Sequence, residues 1–165
     1  MIQKIDKKAV QDAVQMAYDR CKNETGGKNA DYIPYLADVP SNLFGIAACL
    51  PDGDMVAVGD TDYRFGIESV SKVPTAILAM NQYSGQEVLD KIGADATGLP
   101  FNSIMAILLE KDHPSTPLVN AGAISACSMV KPVGDSDGKW KAIVSFIAGL
   151  AGSDVEVIDE LYKSE

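Results

Sequence analysis

The segment Tyr63-Arg64-Phe65-Gly66-Ile67-Glu68-Ser69-Val70-Ser71-Lys72-Val73-Pro74-Thr75-Ala76-Ile77-Leu78 decides how this chain is read. A short aromatic stretch, Tyr63 to Phe65, leaves the turn Asp60-Thr61-Asp62. From Ser71 the pattern turns helical through about Tyr83, with Gly85 as the expected stop. Pro74 is tolerable only in the first turn of that helix, because a proline deeper inside costs about 3 kcal/mol. The helix therefore has to begin close to Ser69, and the chain passes there from extended structure through a turn into an amphipathic helix.

On the N-terminal side, Leu43 to Leu50 and Met55 to Gly59 flank Pro51-Asp52-Gly53-Asp54, turn residues that join two strands into a hairpin. Before it, Asp6 is placed to cap a helix in which Val10, Ala13, Val14, Ala17 and Cys21 recur at helical spacing, and Gly26-Gly27 marks its end. That helix should lie on a sheet. On the C-terminal side, further helices are expected at Gln86 to Ile92, Ser103 to Glu110, Asn120 to Val130, Trp140 to Ala151 and Val155 to Lys163. Helix, hairpin and a long helical run describe an α/β (α+β) chain, but two or three strands make a thin sheet for so many helices. The expectation is that further strands come from sequence not present here or from another chain, and the helical pattern that stops at Glu165 without a C-cap signal points to an unfinished chain.

Composition narrows the function classes. Fourteen basic against twenty-three acidic side chains give a net charge of -9, with the acids scattered, so nucleic acid and anionic membranes are unlike partners. The 47% hydrophobic content is enough for a core, and no apolar run approaches about 18 residues. The N-terminus lacks the pattern of a signal peptide. Cys21, Cys49 and Cys127 are odd in number, far apart and set in apolar segments; they read as reduced core residues of a cytoplasmic protein.

A single histidine, His113, leaves no room for a conventional metal cluster, and between Asp112 and Pro114 it reads as a solvated loop residue. There is no Gly-x-Ser-x-Gly elbow and no phosphate-binding glycine loop. What remains is Ser-x-x-Lys, in which residues i and i+3 share a helix face and an amine can reach a hydroxyl. It occurs at Ser69/Lys72, Ser128/Lys131 and Ser136/Lys139. The last lies in a turn and the second at a helix C-terminus before Pro132. Ser69 stands where the chain enters a helix with an apolar body. Free N–H groups and the positive end of the dipole can stabilise an oxyanion there, and a lysine buried one turn inside has its ammonium form disfavoured. Equally compatible with the residues alone is Ser69 as an ordinary helix cap and Lys72 as a surface residue.

Beyond these spacings, Phe65-Gly66-Ile67-Glu68-Ser69-Val70-Ser71-Lys72-Val73 resembles the serine-lysine motif of the bacterial and mitochondrial glutaminase family, which usually reads Phe-Ser-Ile-Gln-Ser-Ile-Ser-Lys-Val. Family-like blocks continue in order: Asp31-Tyr32-Ile33-Pro34 with Leu36-Ala37, Gly59-Asp60, Ile92-Gly93, Thr97 to Ser103, and Pro117 to Ile124. The resemblance implies a β-lactamase/transpeptidase-like fold of which residues 1–165 are the N-terminal part of a single domain, the complete domain being roughly twice this length. It implies hydrolysis of L-glutamine to L-glutamate and ammonia through an acyl-serine intermediate, with no metal or organic cofactor and a homo-oligomeric complete protein. Ser69 would be the nucleophile, Lys72 its proton-transfer partner, and Tyr32, Asn120 and Glu165 further substrate-contacting residues. Gly66 and Glu68 depart from the family pattern just before the serine, and Thr116 stands where many members have asparagine. Two rival readings are an inactive truncated segment or subunit, and a serine β-lactamase or penicillin-binding acyl transferase. The second needs a Ser-x-Asn or Tyr-x-Asn motif where Pro117 to Ile124 stands.

Overall fold

The computed structural model describes residues 5–109, 113–134 and 137–165, and Glu110, Asp112 and Ser136 of the sequence reading lie outside them. The chain divides into two compact units, one running to Gly66 and taking in Ile158–Glu165, the other spanning Ile67–Val157.

In the first unit, helix α1 (Lys7–Cys21) starts where expected, with the Asp6 carboxylate accepting the Lys8 N–H at 2.9 Å. Its inward stripe is Val10, Val14 and Tyr18, narrower than the sequence suggested, since Ala13, Ala17 and Cys21 are exposed. The helix ends at Cys21, before the Gly26-Gly27 pair. It packs on an antiparallel hairpin, β1 (Gly45–Cys49) and β2 (Met55–Gly59). The turn closes with Leu50 N–H on the Asp54 carbonyl at 2.8 Å and Gly53 N–H on the Leu50 carbonyl at 2.9 Å, Gly53 supplying a φ of 90°. Register pairs Ile46 with Val58 and Ala48 with Val56 on the more buried face; Gly45, Ala47, Cys49, Met55, Ala57 and Gly59 form the exposed one. At Gly59 a side chain has no room, because a Cβ would meet the Tyr18 ring at 2.4 Å, and that ring also stacks on Phe44 with centroids 5.5 Å apart. Short helix α2 (Pro34–Ala37) contacts the last helix, α8 (Asp159–Ser164), where Tyr35 N–H donates to Ser164 Oγ at 3.0 Å.

The second unit is helical. A 3-10 turn, Glu68–Ser71, leads directly into α3 (Lys72–Gln82), and Pro74 falls in its first turn as required. α4 (Gly85–Ile92), α5 (Ile104–Leu109), α6 (Asn120–Met129) and α7 (Gly138–Ala151) follow. The core is Ala79, Val88, Ile92 and Ala126, flanked by Tyr83 and Met129. Lys131 ties α3 to the end of α6: its N–H donates to Gln82 Oε1 at 2.7 Å and its ammonium to the Gln82 carbonyl at 3.0 Å, 4.5 Å from the Tyr83 ring centre.

Several expectations need correction. Gly85 does not stop α3; Tyr83 turns extended, and Ser84 caps α4 in a reciprocal box with Glu87, so Gly85 is the first residue of the next helix. The last helix begins at Asp159 rather than Val155, and the alternation of branched residues at Val155, Val157 and Ile158 favours extended backbone before it. Cys21, Cys49 and Cys127 are free thiols but exposed, not core residues. His113 is half-buried rather than solvated, and a Cβ on Gly93 would stand 2.7 Å from its Nδ1. No helix of the described residues is long and apolar enough to cross a membrane.

Candidate active site

Local geometry at Ser69 follows from the 3-10 turn. With three residues per turn, positions i and i+3 fall in register, so a backbone that is 3-10 over Glu68–Ser71 and continues at Lys72 as α-helix puts Ser69 and Lys72 on the same edge. The turn is opened by Glu68, whose φ of 45° is the one positive value among described non-glycine residues. Backbone strain of this kind costs of order 1–3 kcal/mol and lets the chain change direction sharply just before the serine. Ser71 Oγ donates to the Glu68 carbonyl at 2.6 Å and Thr75 Oγ1 to the Ser71 carbonyl at 2.8 Å, which pins the turn to the first turn of α3. Ser69 itself is exposed and Lys72 half-buried, less enclosed than a fully buried amine base.

Lys72 and Asn120 meet although 48 residues separate them: Lys72 Nζ donates to Asn120 Oδ1 at 2.6 Å. Because a lysine ammonium only donates, the amide must present its oxygen to it. Asn120 does not act as a helix cap, since the cap position of α6 is Val119 and Asn120 is the first helical residue. The start of α6 is set from two sides. Asn120 N–H donates to the Phe101 carbonyl at 3.0 Å, and the Thr116 carbonyl lies so close to Gly122 that a Cβ there would sit 1.8 Å from it. Lys72 Nζ is also 5.7 Å from the Phe101 ring centre. Phe101 falls within the Thr97 to Ser103 block, and nothing in the sequence gives it a role, because its partners are distant along the chain.

Of the other two candidates, Tyr32 is 78% exposed in the turn before α2, and Glu165 is exposed at the end of α8, its N–H on the Leu161 carbonyl at 3.0 Å. Both belong to the first unit, whereas Ser69, Lys72 and Asn120 belong to the second. Of the rival Ser-x-x-Lys pairs, Ser128 Oγ donates to the Ser125 carbonyl, Lys131 holds α3 and Lys139 donates to the Ser128 carbonyl, while Ser136 lies outside the described residues. A hydroxyl, an amine one turn on and an amide oxygen on that amine form an arrangement able to move a proton off a serine.

A helical unit that opens on a serine-lysine turn and a unit in which a helix backs a hairpin are elements of the β-lactamase-like fold, with the sheet incomplete here. Residues 27–165 match the family model described as Glutaminase, and the chain belongs to the glutaminase family. A glutaminase of Bacteroides thetaiotaomicron is 68% identical over 165 residues, covering 100% of this chain and 51% of that protein. The solved structure of a protein described as probable glutaminase YbaS superposes with a TM-score of 0.93 at 45% identity, over 98% of this chain and 52% of the other. A Bacillus subtilis protein similarly described, complexed with 6-diazo-5-oxo-L-norleucine, gives 0.71 at 28% identity, over 100% of this chain and 48% of the other. The chain thus spans about half the length of the relatives it matches.

Proposed function

We propose that these residues are the N-terminal part of a single glutaminase domain that hydrolyses L-glutamine to L-glutamate and ammonia. The observation that carries the reading is the 2.6 Å bond from Lys72 to Asn120 beside the Ser69 turn, in a chain of this family. The compound named for the Bacillus subtilis structure supports the substrate class: it is an α-amino acid with a carbonyl where glutamine has its side-chain amide carbonyl. Ser69 Oγ attacks that carbon while its proton passes to Lys72. The proton then goes to the amide nitrogen as the C–N bond breaks, ammonia leaves, and water hydrolyses the acyl-serine to glutamate. Asn120 holds the lysine in place and contacts the substrate. The resemblance adds Tyr32 and Glu165 as substrate contacts. The protein works without metal or organic cofactor, in the cytoplasm, as a homo-oligomer.

Ser69→Ala in a protein extended to the relatives' full length tests this. Turnover should vanish with the fold intact, since an exposed hydroxyl contributes little to packing. Lys72→Arg keeps the charge but gives up no proton near neutral pH and should be nearly as damaging as Lys72→Ala. Activity above about a tenth of parent in Ser69→Ala removes the serine as nucleophile.

A further inference from the structure

Phe101 is 57% exposed, so its ring does little as core filling, yet it touches both members of the lysine-asparagine pair. Its carbonyl accepts the Asn120 N–H at 3.0 Å, Asn120 Oδ1 accepts from Lys72, and Lys72 Nζ lies 5.7 Å from the Phe101 ring centre. The three residues thereby close a circuit that joins the loop before α5, the start of α6 and the start of α3. We propose that Phe101 is a positioning residue for the serine-lysine pair, its carbonyl fixing Asn120 and its ring stabilising the ammonium that forms on Lys72 as Ser69 attacks.

This rests on Lys72 being the proton acceptor. In acylation the Ser69 O–H bond breaks, the Oγ–C bond forms and Nζ takes the proton, so the lysine gains one unit of positive charge in that step. An aromatic face within about 6 Å of a cation attracts it through the ring quadrupole, more strongly for the charged product than for the neutral amine, and therefore favours the step. At this distance and exposure the expected effect is about two- to fivefold in rate. The backbone contribution is separate: no side-chain substitution removes the carbonyl that holds Asn120. Side-chain replacement at Phe101 therefore reads the ring's contribution alone.

The test replaces Phe101 with 4-fluoro-, 3,5-difluoro- and 3,4,5-trifluorophenylalanine in a protein of the relatives' full length, reading the single-turnover rate of ammonia release and the KM for glutamine. Fluorination drains the ring quadrupole while nearly keeping its shape, so a packing role predicts no trend. The expected result is a stepwise fall totalling about two- to fivefold at constant KM, with Phe101→Trp at or above parent and Phe101→Leu at the trifluoro level. A flat series, or Phe101→Leu matching parent, overturns the proposal. Ser69→Ala run alongside separates the failures: if it stays active the glutaminase mechanism itself falls, and if it is dead while the series is flat, only the role of Phe101 falls.

Discussion

Replacing Gly122 with alanine probes how the start of α6 sets Asn120. The added Cβ would lie 1.8 Å from the Thr116 carbonyl oxygen, 2.5 Å from its carbon and 3.1 Å from Pro117 Cα. All three are backbone atoms, so no side chain can rotate away, and the loop or the helix must move by more than about 1 Å to restore contact distance. In an ordinary helix interior the same change gains up to about 1 kcal/mol, because glycine is the poorer helix former. Overpacking in a tight site costs about 1–3 kcal/mol and here has no soft partner, so the net is a loss of about 1–2 kcal/mol, seen as a lower Tm. Function should suffer more than stability. Asn120 is two residues away and holds Lys72 at 2.6 Å, and a misplacement of about 1 Å costs on the order of a hundredfold in kcat/KM. Gly149→Ala is the control: nothing lies within 4 Å of its Cβ on α7, so it should stabilise by about 0.5–1 kcal/mol with activity unchanged. Thermal melts and ammonia-release kinetics of both variants, made in a protein of the relatives' full length, decide it. A Gly122→Ala protein as stable and as active as Gly149→Ala refutes the reasoning.

Glu165→Gln keeps shape and removes charge; if Glu165 meets the substrate's α-ammonium, kcat/KM for glutamine falls roughly ten- to hundredfold while discrimination against N-acetylglutamine narrows, and equal loss on both substrates speaks against that contact. The Ser84 N–H, and after it the Ser84 hydroxyl, hold the Glu87 carboxyl below the usual carboxylate range. A lowered folded value means that its stabilisation of α4 is present above the ordinary carboxylate pKa and is lost as pH falls through the folded one. Ser84→Ala keeps the N–H and loses the hydroxyl, so NMR titration should show that midpoint rising part of the way, and an unmoved midpoint removes the hydroxyl as a cause. The 165-residue chain alone leaves Ile104, Met105, Ile107, Leu108 and Leu109 of α5 at 47–70% exposure, so it should bind a hydrophobic dye, melt easily and show no glutaminase activity; a cooperative, high-melting monomer contradicts this.

What the sequence made legible was local. Asp6 as a cap, Pro51 to Asp54 as a turn and Pro74 in a first helical turn each rest on a residue's own backbone chemistry, and all three hold in the structure. Gly85 misled because glycine marks a helix end or, after a serine cap, a helix start, and only the Ser84–Glu87 reciprocity distinguishes them. The cysteines misled because an apolar neighbourhood in sequence does not say which face of a strand or helix is covered; Cys49 falls on the outer face of the hairpin. The serine-lysine turn was legible as a motif, but its choice over Ser128/Lys131 needed the ordered blocks around it. The Lys72–Asn120 bond and the approach of Phe101 are tertiary, and no spacing rule reaches across 48 residues.

The central claim is an acyl intermediate on Ser69, and the most direct measurement is rapid acid quench of the full-length enzyme during turnover of glutamine, followed by peptide mass spectrometry. The account predicts a glutamyl ester on the peptide containing Ser69, appearing within the first turnover and absent from Ser69→Ala. An active enzyme whose glutamyl adduct sits on another residue contradicts it.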